Sequence, residues 1–185
     1  MKPMILILSG VLIAGLAKWA WGQFWSFRAQ SPYDYQGQLP QIDIRRHLLG
    51  PMVAEGVIFD FTGRVQSRFT GEMEGIWSGD TGQLKEIFTF SSGMVQNREW
   101  SLTLGADGQI TGTAADIVGM ANGRQIGSAV MLEYRLKLPE TAGGYVIDVT
   151  DWMYLTEQGS IMNRAEFRKF GLKVGEMLAT FRPVK

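Results

Sequence analysis

The stretch Leu84-Lys85-Glu86-Ile87-Phe88-Thr89-Phe90-Ser91-Ser92-Gly93-Met94-Val95-Gln96-Asn97-Arg98-Glu99-Trp100-Ser101-Leu102-Thr103-Leu104 decides the fold. Its second half alternates Arg98, Trp100, Leu102 and Leu104 on one face with Asn97, Glu99, Ser101 and Thr103 on the other, the period of a strand half-buried in a sheet. Its first half alternates in the same way, with Leu84, Glu86, Phe88 and Phe90 on one face. Ser91-Ser92-Gly93 reads as a three-residue hairpin loop with Gly93 in the left-handed conformation. Phe90 then pairs with Met94, and Glu86 falls opposite Arg98. Each apolar face therefore carries one charge, and the hairpin brings the two charges together inside.

Ala106-Asp107-Gly108 reads as the same loop type, so that Gly105 pairs with Gln109 and Arg98 faces Asp116 on the next strand. Carboxylate, guanidinium and carboxylate would stand in a row on the inner face of a sheet, where an unpaired charge costs several kcal/mol. With Arg98 between them the two acids are expected to stay ionised. Such a row is either a lock on strand register or an anchor for the polar head of a ligand, since a guanidinium binds carboxylate or phosphate through a planar fork.

Working outward, strand-length alternating runs separated by glycine-bearing turns continue in both directions. They lie at about 52–60, 64–77, 83–90, 94–105, 109–122 with a break near Val118-Gly119, 125–138, 145–156, 160–169 and 172–182. The turns include Gly79 to Gly82, Asn122-Gly123, Glu140 to Gly144 and Glu157-Gln158-Gly159. Sequential antiparallel strands in this number close most economically into an up-and-down barrel, which removes exposed edges. The expected fold is all-β, a lipocalin-like antiparallel barrel of about 8–10 strands occupying residues 42–185. Asp43 to Leu49 reads as a short helix that plugs one end, stopped by Gly50-Pro51.

The expected inner face includes Val57, Phe59, Phe69, Met73, Trp77, Leu84, Phe88, Trp100, Leu102, Tyr134, Leu136, Val149 and Met153. Gly75, Gly112 and Ala114 stand opposite large aromatics. Their small side chains leave room for a cavity or mark bulges and barrel corners. In Asp151-Trp152-Met153-Tyr154 the loop Glu157-Gln158-Gly159 sets Trp152 across from Arg164 and Asp148 across from Arg168 on the outer face. Asp151, Met153 and Asn163 then point inward. The candidate ligand-binding residues are Trp77, Glu86, Phe88, Arg98, Trp100, Asp116, Tyr134, Asp151, Met153 and Asn163.

The amino-terminal residues are of a different composition. Met4 to Ala17 is apolar apart from Ser9, and Lys18, Trp19, Trp21, Phe24, Trp25, Phe27 and Arg28 follow. A signal-peptide core and a membrane-spanning helix both fit the apolar run, and the aromatic flank resembles an interfacial belt. Residues 1–28 are therefore expected to form one N-terminal transmembrane helix, an uncleaved signal anchor. Residues 29–41, with Pro32, Gly37 and Pro40, read as a linker. The corresponding location is the inner membrane, single-pass, with the barrel on the periplasmic side.

Composition narrows the function classes. In the 185 residues, 18 Lys and Arg balance 18 Asp and Glu, so no global field favours nucleic acid. There is no cysteine for thiol chemistry, and the one histidine, His47, lies in the plug beside Arg45 and Arg46. A Ser, His and Asp arrangement or a metal site has no support, no phosphate loop precedes a helix, and no cofactor or catalytic residue is expected. The reading is a binding protein rather than an enzyme.

Leu84 to Phe88, Arg98-Glu99-Trp100, Gly112 to Gly119, Asp151 to Leu155, Asn163-Arg164 and Lys169-Phe170-Gly171 together resemble a bacterial lipocalin-like envelope family, domain-of-unknown-function family 3833. The resemblance spans about Leu39 to Arg182. It implies a calycin-type barrel carried outside the cytoplasm, and no established activity or ligand. Members commonly carry a lipoprotein cysteine, whereas here Leu12-Ile13-Ala14-Gly15 runs into Leu16. The function expected from the whole reading is binding of an apolar or amphipathic small molecule or lipid at the envelope. The alternative is an accessory subunit of a larger membrane protein complex, with the barrel as docking module.

Overall fold

A computed structural model describes residues 7, 8, 10, 12–17 and 26–184. The chain divides into two units, residues 1–34 and 35–185. In the first, the described residues between 7 and 17 are helical, and short 3-10 turns cover Phe27–Ala29 and Pro32–Tyr35, the latter running into the second unit. The expected transmembrane helix and the single-pass inner-membrane location are corrected here. Among the described residues no helix is long and apolar enough to cross a membrane. The flank of Lys18, Trp19, Trp21, Phe24 and Trp25 lies outside the described residues.

The second unit is a ten-stranded antiparallel meander closed on itself. Its strands are β1 (Gly50–Asp60), β2 (Val65–Ser78), β3 (Thr81–Phe90), β4 (Val95–Leu104), β5 (Gln109–Thr113), β6 (Ala121–Ile126), β7 (Ala129–Lys137), β8 (Val146–Leu155), β9 (Ile161–Lys169) and β10 (Leu172–Pro183). Each strand pairs with its sequence neighbour, and β1 closes the barrel on β10 with Gly56 opposite Ala179. The all-β expectation and the closed antiparallel barrel stand.

Turn chemistry sets the register. Phe90 N–H donates to the Met94 carbonyl at 2.9 Å around Gly93, whose φ is +83°, and Gly105 N–H donates to the Gln109 carbonyl at 2.7 Å. Glu86 accordingly stands opposite Arg98, and Leu84 opposite Trp100. The turn expected at Gly79 to Gly82 is tighter, with only Gly79 and Asp80 between β2 and β3.

Two elements differ from the sequence reading. The expected strand over 109–122 is split into β5 and β6, joined by residues 114–120, which leave the β4 edge and bridge to β7 through Ile117 and Leu136. Asn122-Gly123 is not a turn but lies inside β6, where a Cβ on Gly123 would sit 1.9 Å from the Met131 carbonyl oxygen. A strand glycine here permits close backbone approach rather than chain reversal. The reversal comes at Gly127 and Ser128, between β6 and β7.

The face of β1 is also reversed. Met52 and Ala54 are buried, and a Cβ on Gly56 would fall 2.6 Å from the Phe69 ring, so the even-numbered residues face inward and Val57 faces out. A bulge at Ile58 and Phe59 then shifts the register, as a single extra residue does. The small inner side chains were masked by the larger outer ones, Val53 and Val57, which made the wrong alternation look apolar.

One end of the barrel is closed by residues 35–49. Asp43 caps the single-turn helix Ile44–His47 by accepting from Arg45 N–H at 3.0 Å, and Ile42, Ile44 and Leu48 are buried. Fully burying such aliphatic side chains stabilises by about 1.5–3 kcal/mol each. The segment is pinned on both sides of the opening. Ile42 N–H donates to the Gly127 carbonyl at 2.8 Å, and Trp77 Nε1–H donates to the Leu48 carbonyl at 3.1 Å. Gly75 and Gly127 make these seats possible, because a Cβ at either would lie 1.7 Å from the Leu48 or Tyr35 carbonyl oxygen.

Candidate functional site

The opposite end is open. A cavity of about 420 Å³ lies there, lined by Ile58, Phe88, Phe90, Leu136, Ile147, Phe167 and Met177 among others, with Arg98 and Tyr134 on its inner side. Below it, a deeper space of about 90 Å³ is walled by Leu84, Trp100, Leu132 and Phe181 and by Glu86, Arg98, Tyr134, Asp151 and Asn163. Phe69, Phe88, Arg98, Tyr134 and Met177 border both spaces. An apolar mouth therefore opens onto a polar floor.

The floor is built from six elements. Glu86 comes from β3, Arg98 from β4, Asp116 from the 114–120 segment, Tyr134 from β7, Asp151 from β8 and Asn163 from β9. Arg98 donates to Asp116 Oδ2 from Nε at 2.9 Å and from a terminal nitrogen at 2.7 Å. Both bonds fall on one oxygen, so this is not the two-oxygen fork of a bidentate pair. Asp116 Oδ1 is buried without a partner, and so is Glu86 Oε2. Tyr134 O–H donates to Asp151 Oδ2 at 3.2 Å, and Asn163 donates from Nδ2 to Asp151 Oδ1 and to the Trp152 carbonyl. Trp100 meets Tyr134 edge-on at 5.3 Å between ring centroids, and its ring lies 5.9 Å from the Arg98 guanidinium carbon.

Burial decides the state of Glu86 and Asp151. Glu86 is pushed up to about 7, chiefly by loss of hydration; Arg98 and a hydrogen bond with Trp100 oppose this, and Asp151 and Asp116 add to it. Asp151 is pushed up to about 6 by the same loss of hydration, opposed by its bonds from Asn163 and Tyr134 and by Arg98. The Tyr134 hydroxyl is raised well above its ordinary value by burial and by Asp151. The expectation that Arg98 holds Glu86 ionised is corrected: the guanidinium is taken by Asp116, and Glu86, although opposite in register, is not ion-paired to it.

Eight of the ten candidate residues, Glu86, Phe88, Arg98, Trp100, Tyr134, Asp151, Met153 and Asn163, line the deep space. Asp116 reaches it through Arg98, from a loop and not from a strand. Trp77 is elsewhere, hydrogen-bonded to the plug with its ring over Gly82. Gly75 and Gly112 do not make the room either: the Leu48 carbonyl fills the first, and Leu102 and Trp100 crowd the second. Met177 and Phe181 of β10 were missed, although the alternation of Met177, Ala179 and Phe181 carries the signal. Trp152 faces outward as expected but is 1% exposed, packed against Tyr35 at 5.3 Å and Tyr154 at 5.9 Å.

Residues 22–183 match the family described as protein of unknown function, DUF3833. The chain belongs to that family. No curated protein matches it. Among solved structures, the S-type phycobiliprotein lyase CPES from Guillardia theta is similar with a TM-score of 0.56 and 6% identity, covering 77% of this chain and 91% of that one. At that identity the likeness shows the fold alone. A redesigned β-barrel, mFAP0, bound to DFHBI, is more distant, with a TM-score of 0.40 and 13% identity over 75% of this chain and 100% of its own.

Proposed function

We propose that this family member binds a small apolar or amphipathic molecule inside its barrel, entering by the open end. The body of the ligand lies in the mouth and its polar end meets the floor. The observation that carries the reading is the apolar cavity of about 420 Å³ that abuts a buried polar cluster through Arg98 and Tyr134. Small-molecule sites combine an apolar lining with a few convergent polar groups in this way. A protein whose barrel served only as a packed support has no need for buried carboxylate oxygens without partners, each of which costs free energy.

The test is titration of full-length protein with Nile red, a neutral apolar dye. Saturable one-to-one binding at micromolar concentration is expected, with weakening of about tenfold in Ile58→Trp, whose indole occupies part of the mouth; Met177→Trp repeats the test from the other wall. Absence of saturable binding, or equal affinity in folded variants with the mouth filled, overturns the proposal.

A further inference from the structure

The ligand's polar end is a question of donors and acceptors. Glu86 is 6% exposed and lines the deep space, and its buried Oε2 has no hydrogen-bond partner. Asp116 Oδ1, across Arg98 from it, is also buried and unpartnered. Among the cluster's donors, Tyr134 is engaged with Asp151, Asn163 with Asp151 and the Trp152 carbonyl, and Arg98 spends Nε and one terminal nitrogen on Asp116. What the floor holds in excess is carboxyl groups, Glu86, Asp116 and Asp151 around the Arg98 guanidinium, and two of their buried oxygens have no donor. An anionic head would meet these acids beside a guanidinium whose charge Asp116 already balances, which disfavours the carboxylate or phosphate that Arg98 alone would attract.

Resting on the small-molecule reading above, we infer that the barrel selects amphiphiles with a cationic N–H donor head, an ammonium or amidinium. The head sits in the deep space and donates to Glu86 Oε2, while the apolar body fills the mouth. The sizes agree with this division, since about 90 Å³ holds a head of a few heavy atoms and about 420 Å³ holds a chain or ring system. A metal ion is a poorer fit. Among the described residues no three carboxyl or imidazole groups converge closely enough to hold one. Burial raises the titration of both Glu86 and Asp151, and the Arg98 guanidinium offsets it only in part.

The experiment displaces Nile red from the full-length protein with three amphiphiles of equal chain length: dodecylamine, dodecanol and dodecanoate. At pH 7.5 dodecylamine is expected to displace the dye at concentrations at least tenfold below dodecanol and further below dodecanoate. In Glu86→Gln the ratio of amine to alcohol is expected to fall about tenfold, toward parity. If Glu86→Gln does not fold, Asp116→Asn, which removes the charge at the other unpartnered oxygen, is read in the same way and is expected to lower the ratio. Dodecanol or dodecanoate equal to the amine overturns the selectivity, as does a ratio unchanged by substitution, and both leave small-molecule binding standing. Failure of Nile red to bind at all removes both.

Discussion

At the scale of the residue, Glu86 has the most consequences. It titrates near 4.5 in an unfolded chain and at about 7 in the barrel, so between those values the native state holds more protons than the unfolded one. Stability therefore declines as pH rises through this window, and Asp151, moving from 3.8 to about 6, acts with the same sign. For Glu86 the loss above pH 7 is on the order of 3 kcal/mol. Glu86→Gln removes that part, so thermal melts across pH 4.5–8 should show a flatter profile than the parent and a higher Tm at pH 8; a parent profile already flat over this range contradicts the burial argument. Arg98→Ala leaves Asp116 without its partner and should cost roughly 3–5 kcal/mol at pH 7.5 by chemical denaturation. The cost should shrink near pH 4.5, where Glu86 and Asp151, raised by burial, are protonated and no longer repel Asp116. An Arg98→Ala variant as stable as the parent would mean that the ion pair holds nothing in place. The register of Glu86 opposite Arg98 was legible because the one short loop Ser91-Ser92-Gly93 between their strands dictates it. Its energetics were not, because Asp151 reaches the same space from the far side of the barrel and no local pattern records that.

Among the elements, the plug and Tyr35 at its start show where alternation runs out. A strand pattern reports two faces, inside and outside, but not what later crosses either of them. Gly75 read as vacant room and is filled by the Leu48 carbonyl; Trp152 read as a surface ring and is covered by Tyr35. Both misreadings have the same cause, since residues 35–49 contact strands far away in sequence. Gly75→Ala would force a Cβ into the Leu48 carbonyl, and overpacking of this kind costs typically 1–3 kcal/mol or more. Denaturation that leaves Gly75→Ala within a few tenths of a kcal/mol of the parent would show that the plug is not seated on β2. Trp152→Ala should lose about 3–5 kcal/mol, the cost of a core residue, despite its outward direction. Asn122-Gly123 misled for a related reason: the strongest short hairpin signal and the need for close backbone approach use the same residue, and only the partner strand tells them apart.

For the whole molecule, closure was legible in the sequence because short alternating runs following one another leave few other ways to bury their inner faces without exposed edges. The amino-terminal span was not upheld, and an apolar run with an aromatic flank was insufficient to define a membrane helix among the described residues. The cavity itself was expected for the wrong reason, from glycines that turn out to seat the plug and to admit Trp100, whereas the room lies at the unplugged end among Ile58, Leu136, Ile147 and Met177. Occupation of that room is the central claim. Methyl-labelled full-length protein titrated with Nile red and followed by NMR tests it most directly, since Ile58, Leu136, Leu138, Ile147 and Met177 report the mouth while Ile76 and Ile87 report the exposed outer surface. Saturable shifts concentrated on the mouth methyls, with Ile76 and Ile87 unmoved, are predicted; shifts confined to the outer methyls, or no saturable shift at all, would contradict the account.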